Sequence, residues 1–440
     1  MRRFRGARTG ESLSLEVTSV ASSGAGCTED KLEVPGVLAG ERVEVELEHV
    51  GLQSHHGRLK AVERPSPHRV DPRCRWFLAC GGCQLLHADL PHQRALKWNW
   101  LRTTLQNAGI DEEPEPVRPA PRGFGYRAMA KFVVQDGGIL GSYAPRSHHV
   151  VSMQGCLVHH PTIERVANAL REGLRTVSDS SLRFIVIRVS RRSECAVVTL
   201  VAKSSQAVAV RVATDILVGM VDVLRVELMV RDVDDDVIMG SDSAQALFDR
   251  GPAIERMGPV TFDLVGGAFN QVNPEMAEAL YAHVVDGLDA LQADIADLYA
   301  GSGVLAAWLL AAGARRVMSV ESGARSASAL RRLAEQYEPA RIEVLHARVE
   351  DVVASWNDRA HAVVNPPRKG LARPVCAGLL DGACTLLVYV SCEPKTLARD
   401  LEILTSGPRR FEIARVTPFD LFPQTRHLET VVVLRRPRGA

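Results

Sequence analysis

Two side chains near the carboxyl end of the chain have the chemistry of a nucleophile and a base. Cys392 stands in TLLVYVSCEPKTLARDL, directly after an apolar strand-like run and before a helix that Pro394 would open. A thiol at that junction lies near the unpaired amides of a helix start, whose partial positive charge favours the thiolate. Cys376 and Cys384 have no such context and read as buried structural cysteines. Glu429 opens the last strand-like run in RHLETVVVLRR, with His427 close by. A carboxylate there can accept a proton or simply end a strand in solvent, and the residues alone weigh the two equally.

A second set of residues could hold a nucleoside. DLYAGSG, from Asp297 to Gly303, follows an apolar strand and opens a helix, so its glycines allow a sharp turn and close approach of backbone to a ligand. Roughly 20 residues on, VMSVE sets Glu321 at the end of the next strand, where a carboxylate can grip ribose hydroxyls. NPPR, from Asn365 to Arg368, ends a later strand with a rigid extended exit at the edge where such sheets bind ligands. Four further cysteines form a third set. Cys74, Cys80 and Cys83 have five and two residues between them, and Cys156 follows MQG. Four thiolates suit zinc or an iron–sulfur cluster equally by count and spacing. The odd total of nine cysteines, unevenly spaced, points to metal or catalytic use in a reducing compartment rather than to disulfides.

The elements that must position these residues fall into three regions. Residues 1–63 alternate in short strands (SLSLEVTSV, RVEVELEHV) with turn-rich links, the pattern of a small β-barrel. The proline-rich stretch ERPSPHRVDPRC marks a boundary. Residues 64–257 hold the cysteines, a helix over PHQRALKWNWLRTTLQNAG and several strands, an α+β mixture. Residues 258–440 alternate strand and helix, which predicts a mostly parallel sheet with helices on both faces, ending in an antiparallel pair, FEIARVTPF and ETVVVLRR. The fold class is therefore α/β, with a Rossmann-like C-terminal unit.

The 440 residues carry a net charge of +1 with 46% hydrophobic and 24% charged residues, ordinary for a globular protein. That balance neither demands nor excludes nucleic acid, so an RNA partner must be argued locally. Residues 64–160 carry an excess of Lys and Arg, with Trp76 and Phe77 as possible stacking groups and Trp98 and Trp100 as core candidates. No apolar run approaches a membrane span and the basic start lacks an apolar core, so the expectation is a cytoplasmic monomer without a membrane partner.

The motifs FNQVNPEM, DLYAGSG, NPPRKG, YVSCEPKTLARDL and FPQTRHLETVVVL, in that order, resemble the RNA 5-methyluridine methyltransferases. The N-terminal strands resemble a TRAM domain, an RNA-binding β-barrel, and RCRWFLACGGCQLLH with MQGC resembles the family's iron–sulfur insert. The resemblance implies methylation of carbon-5 of a uridine, 23S ribosomal RNA being favoured and transfer RNA the alternative. It implies S-adenosylmethionine as methyl donor, contacted by Gln271, Tyr299, Glu321 and Asn365, and a [4Fe–4S] cluster on Cys74, Cys80, Cys83 and Cys156. Cys392 would be the nucleophile and Glu429 the base. The chemistry explains both: carbon-5 of uracil attacks a sulfonium methyl only after a thiolate has added to carbon-6, and the thiolate leaves only after a base removes the carbon-5 proton. A target base must also leave its stack to reach a thiol.

Four positions depart from the family pattern. Asn365 stands where Asp is usual, Ala300 where Cys is frequent, Val304 where a polar residue is common, and Arg348 where Asn is typical. Asn365 admits a different substrate, an amino group or a small nucleoside. The altered pocket admits a catalytically weak RNA-binding homologue.

Overall fold

The computed structural model describes residues 8–51, 55–145, 147–232, 244–288 and 292–437. The first five strands, β1 (Ser12–Val20), β2 (Ala25–Thr28), β3 (Leu32–Pro35), β4 (Arg42–Val50) and β5 (His55–Arg64), close into a barrel in the order β1-β2-β3-β5-β4. Alternation drives it: Leu15, Val17, Val43, Val45 and Leu47 fill the interior, while Glu46 on the outer face meets Arg58 and Lys60.

Helix α1 (Leu90–Asn107) follows, started by Asp89, whose side chain accepts the His92 amide. Then come β6 (Met129–Gln135), β7 (Ile139–Tyr143), β8 (Val150–Ser152), α2 (Pro161–Gly173), β9 (Leu182–Val189), β10 (Ala196–Ala202), α3 (Val208–Val218), β11 (Val223–Val230) and β12 (Gln245–Asp249). Their strands form one sheet in the order β12-β11-β10-β9-β6-β7-β8. The runs in β9 and β10 are buried almost throughout, because α2 and α3 cover one face of this sheet while Val197 on the other packs into the core shared by the following hairpin and the C-terminal unit.

A hairpin of β13 (Ile254–Met257) and β14 (Val260–Asp263) leads through α4 (Pro274–Leu288) to the third unit. It contains β15 (Asp294–Leu298), α5 (Val304–Ala311), β16 (Arg316–Glu321), α6 (Ala324–Ala334), β17 (Ile342–His346), α7 (Val353–Trp356), β18 (His361–Val364), α8 (Arg373–Asp381), β19 (Leu386–Ser391), α9 (Pro394–Leu404), β20 (Glu412–Phe419) and β21 (Glu429–Arg435). The sheet runs β17-β16-β15-β18-β19-β21-β20; its first five strands are parallel and β21 is antiparallel to both neighbours. Strand order reverses between β15 and β18, which opens a crevice at their carboxyl ends.

The three stretches of sequence interlock. Met257, Val260, Phe262 and Leu264 of the hairpin share a core with α4 and α5, so the hairpin crosses the 257/258 division and belongs with the C-terminal sheet. Leu101 and Leu105 of α1 pack into the core beneath α9. Lys97 of α1, fully buried, forms an ion pair of 2.6 Å with Asp420, just past β20. The loop from Asp420 to Leu428 is thereby tied to the middle of the chain.

Candidate active site

The glycine loop after β15 runs through left-handed backbone at Tyr299, Gly301 and Gly303. A side chain at Gly303 would collide with Leu330 of α6, so glycine there serves the φ angle and the helix packing together. Glu321, at the end of β16, reaches across the crevice: its Oε2 accepts the Gly301 amide at 2.8 Å and its Oε1 accepts the Gly323 amide at 2.6 Å. Each carboxylate oxygen retains a lone pair for a ribose hydroxyl. Above the loop, Ser302 Oγ donates to Asn270 Oδ1 at 2.5 Å, and the Phe269 amide donates to Ser326 Oγ at 3.0 Å. These two bonds bring Gln271 to the rim. Asn365 leaves β18 on the other side of the crevice, its backbone amide bonded to the Leu298 carbonyl at 3.2 Å. Among the described residues, the side-chain amides of Gln271 and Asn365 donate to no protein group. Tyr299 lies half-buried toward Arg348 and Glu350, whose side chains pair at 2.6 Å. Beneath the loop, burial and the charge of Glu321 push the fully enclosed Asp297 carboxyl up to about 7.

The reactive pair forms on the neighbouring strands. Ser391 pairs with Thr430 across the antiparallel β19–β21 ladder, so Cys392, one step out, stands beside Glu429. Adjacent strands lie about 4.8 Å apart. These residues lie 37 positions apart along the chain; sheet pairing removes that separation. Glu429 is 4% exposed, and its Oε2 has no hydrogen-bond partner. Burial pushes its pKa up to about 8, against an opposing pull from Arg368. The thiol differs from its sequence-based expectation. Burial first, then the nearby Glu429, raise Cys392 to about 11, and Arg368 and the local backbone only partly offset them. A helix start helps a thiolate, but here the cap of α9 is Glu393, whose carboxylate works against it. His427 is pushed down to about 4 by burial and by Arg368, Arg426, Lys97 and Arg127, so at neutral pH its ring is uncharged.

A sequence profile described as tRNA (uracil-5-)-methyltransferase matches residues 163–437. The chain belongs to that family. It is an RNA (uracil-5-)-methyltransferase that depends on S-adenosylmethionine. An RNA methyltransferase of Gloeobacter violaceus is 30% identical over 97% of this chain and 97% of its own length. One of Geobacter sulfurreducens is 32% identical over 97% of this chain and 90% of its own. Among solved structures, the tRNA (uracil-54, C5)-methyltransferase of Pyrococcus abyssi, in complex with S-adenosyl-L-homocysteine, superposes with a TM-score of 0.78. At 24% identity over 96% of this chain and 100% of that one, the likeness confirms the fold.

The methyltransferase's glycine loop, its ribose-height carboxylate and the two amide side chains left without protein partners fit the methyl donor. The four cysteines of the insert lie on turns that are tied together. Trp76 Nε1 donates to the Gln154 carbonyl at 3.1 Å, and Arg75 bonds the Gln154 side chain at 3.2 Å, which ties the Cys74–Cys83 turns to the turn bearing Cys156. Burial and the charges of the other cysteines raise the Cys83 thiol to about 12. No set of three His, Cys, Asp or Glu among the described residues already forms a metal-holding group. Trp98 and Trp100 pack inward, their indole N–H groups bonded to Pro114 and Val20 carbonyls. Trp76 remains partly open, with the Arg75 guanidinium 4.9 Å from its ring centre. No helix among the described residues is long and apolar enough to cross a membrane. The sequence reading assigned no role to Arg368, Asn270, Ser302 or Asp297. Each had a signal in its place: Asn270 in FNQVNPEM, Asp297 and Ser302 in DLYAGSG, and Arg368 directly after two prolines at the binding edge.

Proposed function

We propose that this methyltransferase modifies carbon-5 of a uridine in a loop of ribosomal or transfer RNA, with Cys392 as nucleophile and Glu429 as base. The placement of a thiol beside a buried carboxyl with an unused oxygen is the observation that carries the reading. Cys392 thiolate bonds to carbon-6, and the electron pair of the 5,6 double bond moves through carbon-5 onto the carbon-4 oxygen. Bound S-adenosylmethionine supplies an electrophilic methyl group to carbon-5. Glu429 carboxylate then takes the carbon-5 proton, the carbon-6–sulfur bond breaks, and Cys392 regains the pair. Gln271, Tyr299, Glu321 and Asn365 hold the donor in this reading, Asn365 offering a neutral amide where relatives offer a charge. Cys74, Cys80, Cys83 and Cys156 hold a [4Fe–4S] cluster that braces the insert, a reading that rests on their spacing and on the family resemblance. Residues 1–63 form the TRAM-like RNA-binding unit, 64–257 the iron–sulfur unit, its last strand β13 packing with the C-terminal core, and 258–440 the catalytic unit of a cytoplasmic monomer.

5-Fluorouridine-substituted 23S ribosomal RNA fragments and tRNA transcripts, incubated with labelled donor, test the chemistry and the substrate together. A covalent complex with one RNA, abolished by Cys392→Ala, is the expected result. Methyl transfer to nitrogen without a complex overturns it in favour of an amino-group substrate, and donor binding absent altogether favours the non-catalytic homologue. Anaerobic purification with iron and sulfide analysis tests the cluster; a colourless protein with stoichiometric zinc overturns it.

A further inference from the structure

Three arginines hold the segment that leads into FNQVNPEM. Arg225 of β11 donates to the Leu264 carbonyl, Arg325 of α6 to the Gly266 carbonyl at 2.8 Å, and Arg188 of β9 to the Ala268 carbonyl at 2.7 Å. Two of the three also meet a carboxylate: Arg225 pairs with Asp263, and Arg325 with Glu227 at 3.5 Å. Arg188 differs. It is only 6% exposed, yet among the described residues it enters no ion pair. Its Nη2 meets the Ala268 carbonyl and, at 3.3 Å, the Met129 sulfur, while its buried Nε has no partner. The charge of Glu227 reaches Arg188, but that carboxylate is already engaged by Arg325. A guanidinium taken out of water with neutral partners only is an uncompensated charge.

Arg188 stands beside Gln271. It pairs in register with Met129 across the β9–β6 ladder. The next amide, of Val189, bonds the Ala128 carbonyl, and the Ala128 amide bonds the Val272 carbonyl, both at 2.8 Å. Arg188, Met129, Glu255, Asn270 and Gln271 line a common cavity of about 10 Å³, room for one oxygen-sized group. The oxygens of Glu255 are occupied there, accepting the Arg191 amide at 2.7 Å and the Arg256 amide at 2.9 Å. Asn270 is bonded to Ser302 of the glycine loop, and Phe269 to Ser326 of α6, so the cavity lies along the loop that Glu321 also grips.

We propose that Arg188 binds the carboxylate at the amino-acid end of S-adenosylmethionine, beside Gln271. The proposal rests on the reading of Gln271 and Glu321 as contacts of the methyl donor. Glu321 accepts from ribose hydroxyls and repels a carboxylate, so the two ends of the molecule are sorted by charge. One carboxylate oxygen fits the cavity and accepts from the guanidinium N–H groups that Ala268 leaves unused. Charge-assisted bonds of this kind are the stronger ones, and shielding from water strengthens them further. The side-chain amide of Gln271 serves the second oxygen. Because the same guanidinium carries the Ala268 carbonyl, binding of the carboxylate and seating of the segment from Phe269 to Gln271 are one event.

The test compares S-adenosylhomocysteine with decarboxylated S-adenosylhomocysteine, the same thioether with hydrogen in place of the carboxylate. Both are titrated calorimetrically into wild type, Arg188→Met and Arg188→Lys. Loss of a buried charge-assisted contact weakens binding by about 10- to 100-fold, so wild type prefers S-adenosylhomocysteine by about that factor. Arg188→Met binds the two ligands alike, to within about threefold. Arg188→Lys keeps part of the preference, since its ammonium retains the charge without the planar fork. Wild type that binds both ligands alike overturns the proposal without any variant, so the test stands even where Arg188→Met does not fold. Equal losses for both ligands in Arg188→Met, with the preference intact, assign Arg188 to the Ala268 carbonyl alone and also overturn it. So does an unchanged preference joined to weaker RNA binding whose salt slope falls by about one, the mark of a phosphate contact instead. Wild type that binds neither ligand strikes the reading of Gln271 and Glu321 and this proposal with it, whereas binding without preference strikes Arg188 alone.

Discussion

Replacing Glu429 with Gln separates two consequences of burying a carboxyl at the site. The side chain is 4% exposed, one oxygen is unpartnered, and its pKa stands at about 8. In the unfolded chain a glutamate titrates near ~4.3. Because the folded value is the higher, the folded state retains a proton that the unfolded state loses. The favourable contribution is therefore complete below about pH 4 and disappears as pH rises to about 8. At pH 7 the loss is at most about 3–4 kcal/mol. Gln at this place never ionises and escapes that loss, but its buried amide costs roughly 1–2 kcal/mol for want of a partner. Glu429→Gln is therefore more stable than wild type by about 1–2 kcal/mol at neutral pH and equal or less stable at pH 5. For a protein of this size that is a rise in apparent Tm of roughly 1–2 °C at pH 8 and none at pH 5. The same variant cannot remove the carbon-5 proton, so it accumulates a methylated covalent complex with ordinary uridine RNA. Thermal melting at pH 5, 7 and 8.5, with denaturing gels of the RNA reaction, reads both effects. A Tm difference that does not vary with pH refutes the burial argument, and multiple turnover by the variant refutes the base assignment.

Cys392→Ala abolishes both the adduct and methyl transfer while S-adenosylhomocysteine affinity, read by calorimetry, is unchanged; retained methylation removes the thiol from the mechanism. Glu321→Ala strips two charge-assisted bonds from the Gly301 and Gly323 amides along with the ribose contact, and lowers affinity for S-adenosylhomocysteine by about 10- to 100-fold in the same titration. Lys97→Met leaves Asp420 buried without its partner and costs about 3–5 kcal/mol, read as a fall in Tm. The double variant Lys97→Met with Asp420→Leu recovers most of that loss, and failure to recover assigns the effect to packing of α1 instead.

Much of this protein was legible in its residues. Strand–helix alternation announced the parallel sheet, and the two consecutive apolar runs at the end announced the antiparallel pair that was found. The glycines of DLYAGSG announced the left-handed turn after β15, because a backbone turn of that kind requires glycine at fixed places, and a local requirement of this sort is written locally. Less visible was the grouping of distant segments. The hairpin from Ile254 to Asp263 looks like the end of the middle region, yet its apolar face completes the C-terminal core. Helix α1 carries a lysine that no local pattern explains, and its partner Asp420 lies 323 residues away.

The site shows the same division. Residue type and neighbouring elements alone nominated Cys392 as a thiol at a strand–helix junction and left Glu429 undecided between base and strand end. Only the antiparallel register of β19 and β21 put the carboxyl beside the thiol and buried it. The ionisation of both groups was likewise a tertiary decision. A helix start argues for a reactive thiolate, but desolvation and the charge of Glu429 outweigh it, and the one opposing cation, Arg368, arrives from a third strand. Sequence determined which groups could react because chemistry belongs to side chains. The structure decided how they react because desolvation and charge depend on distances that only the folded chain sets.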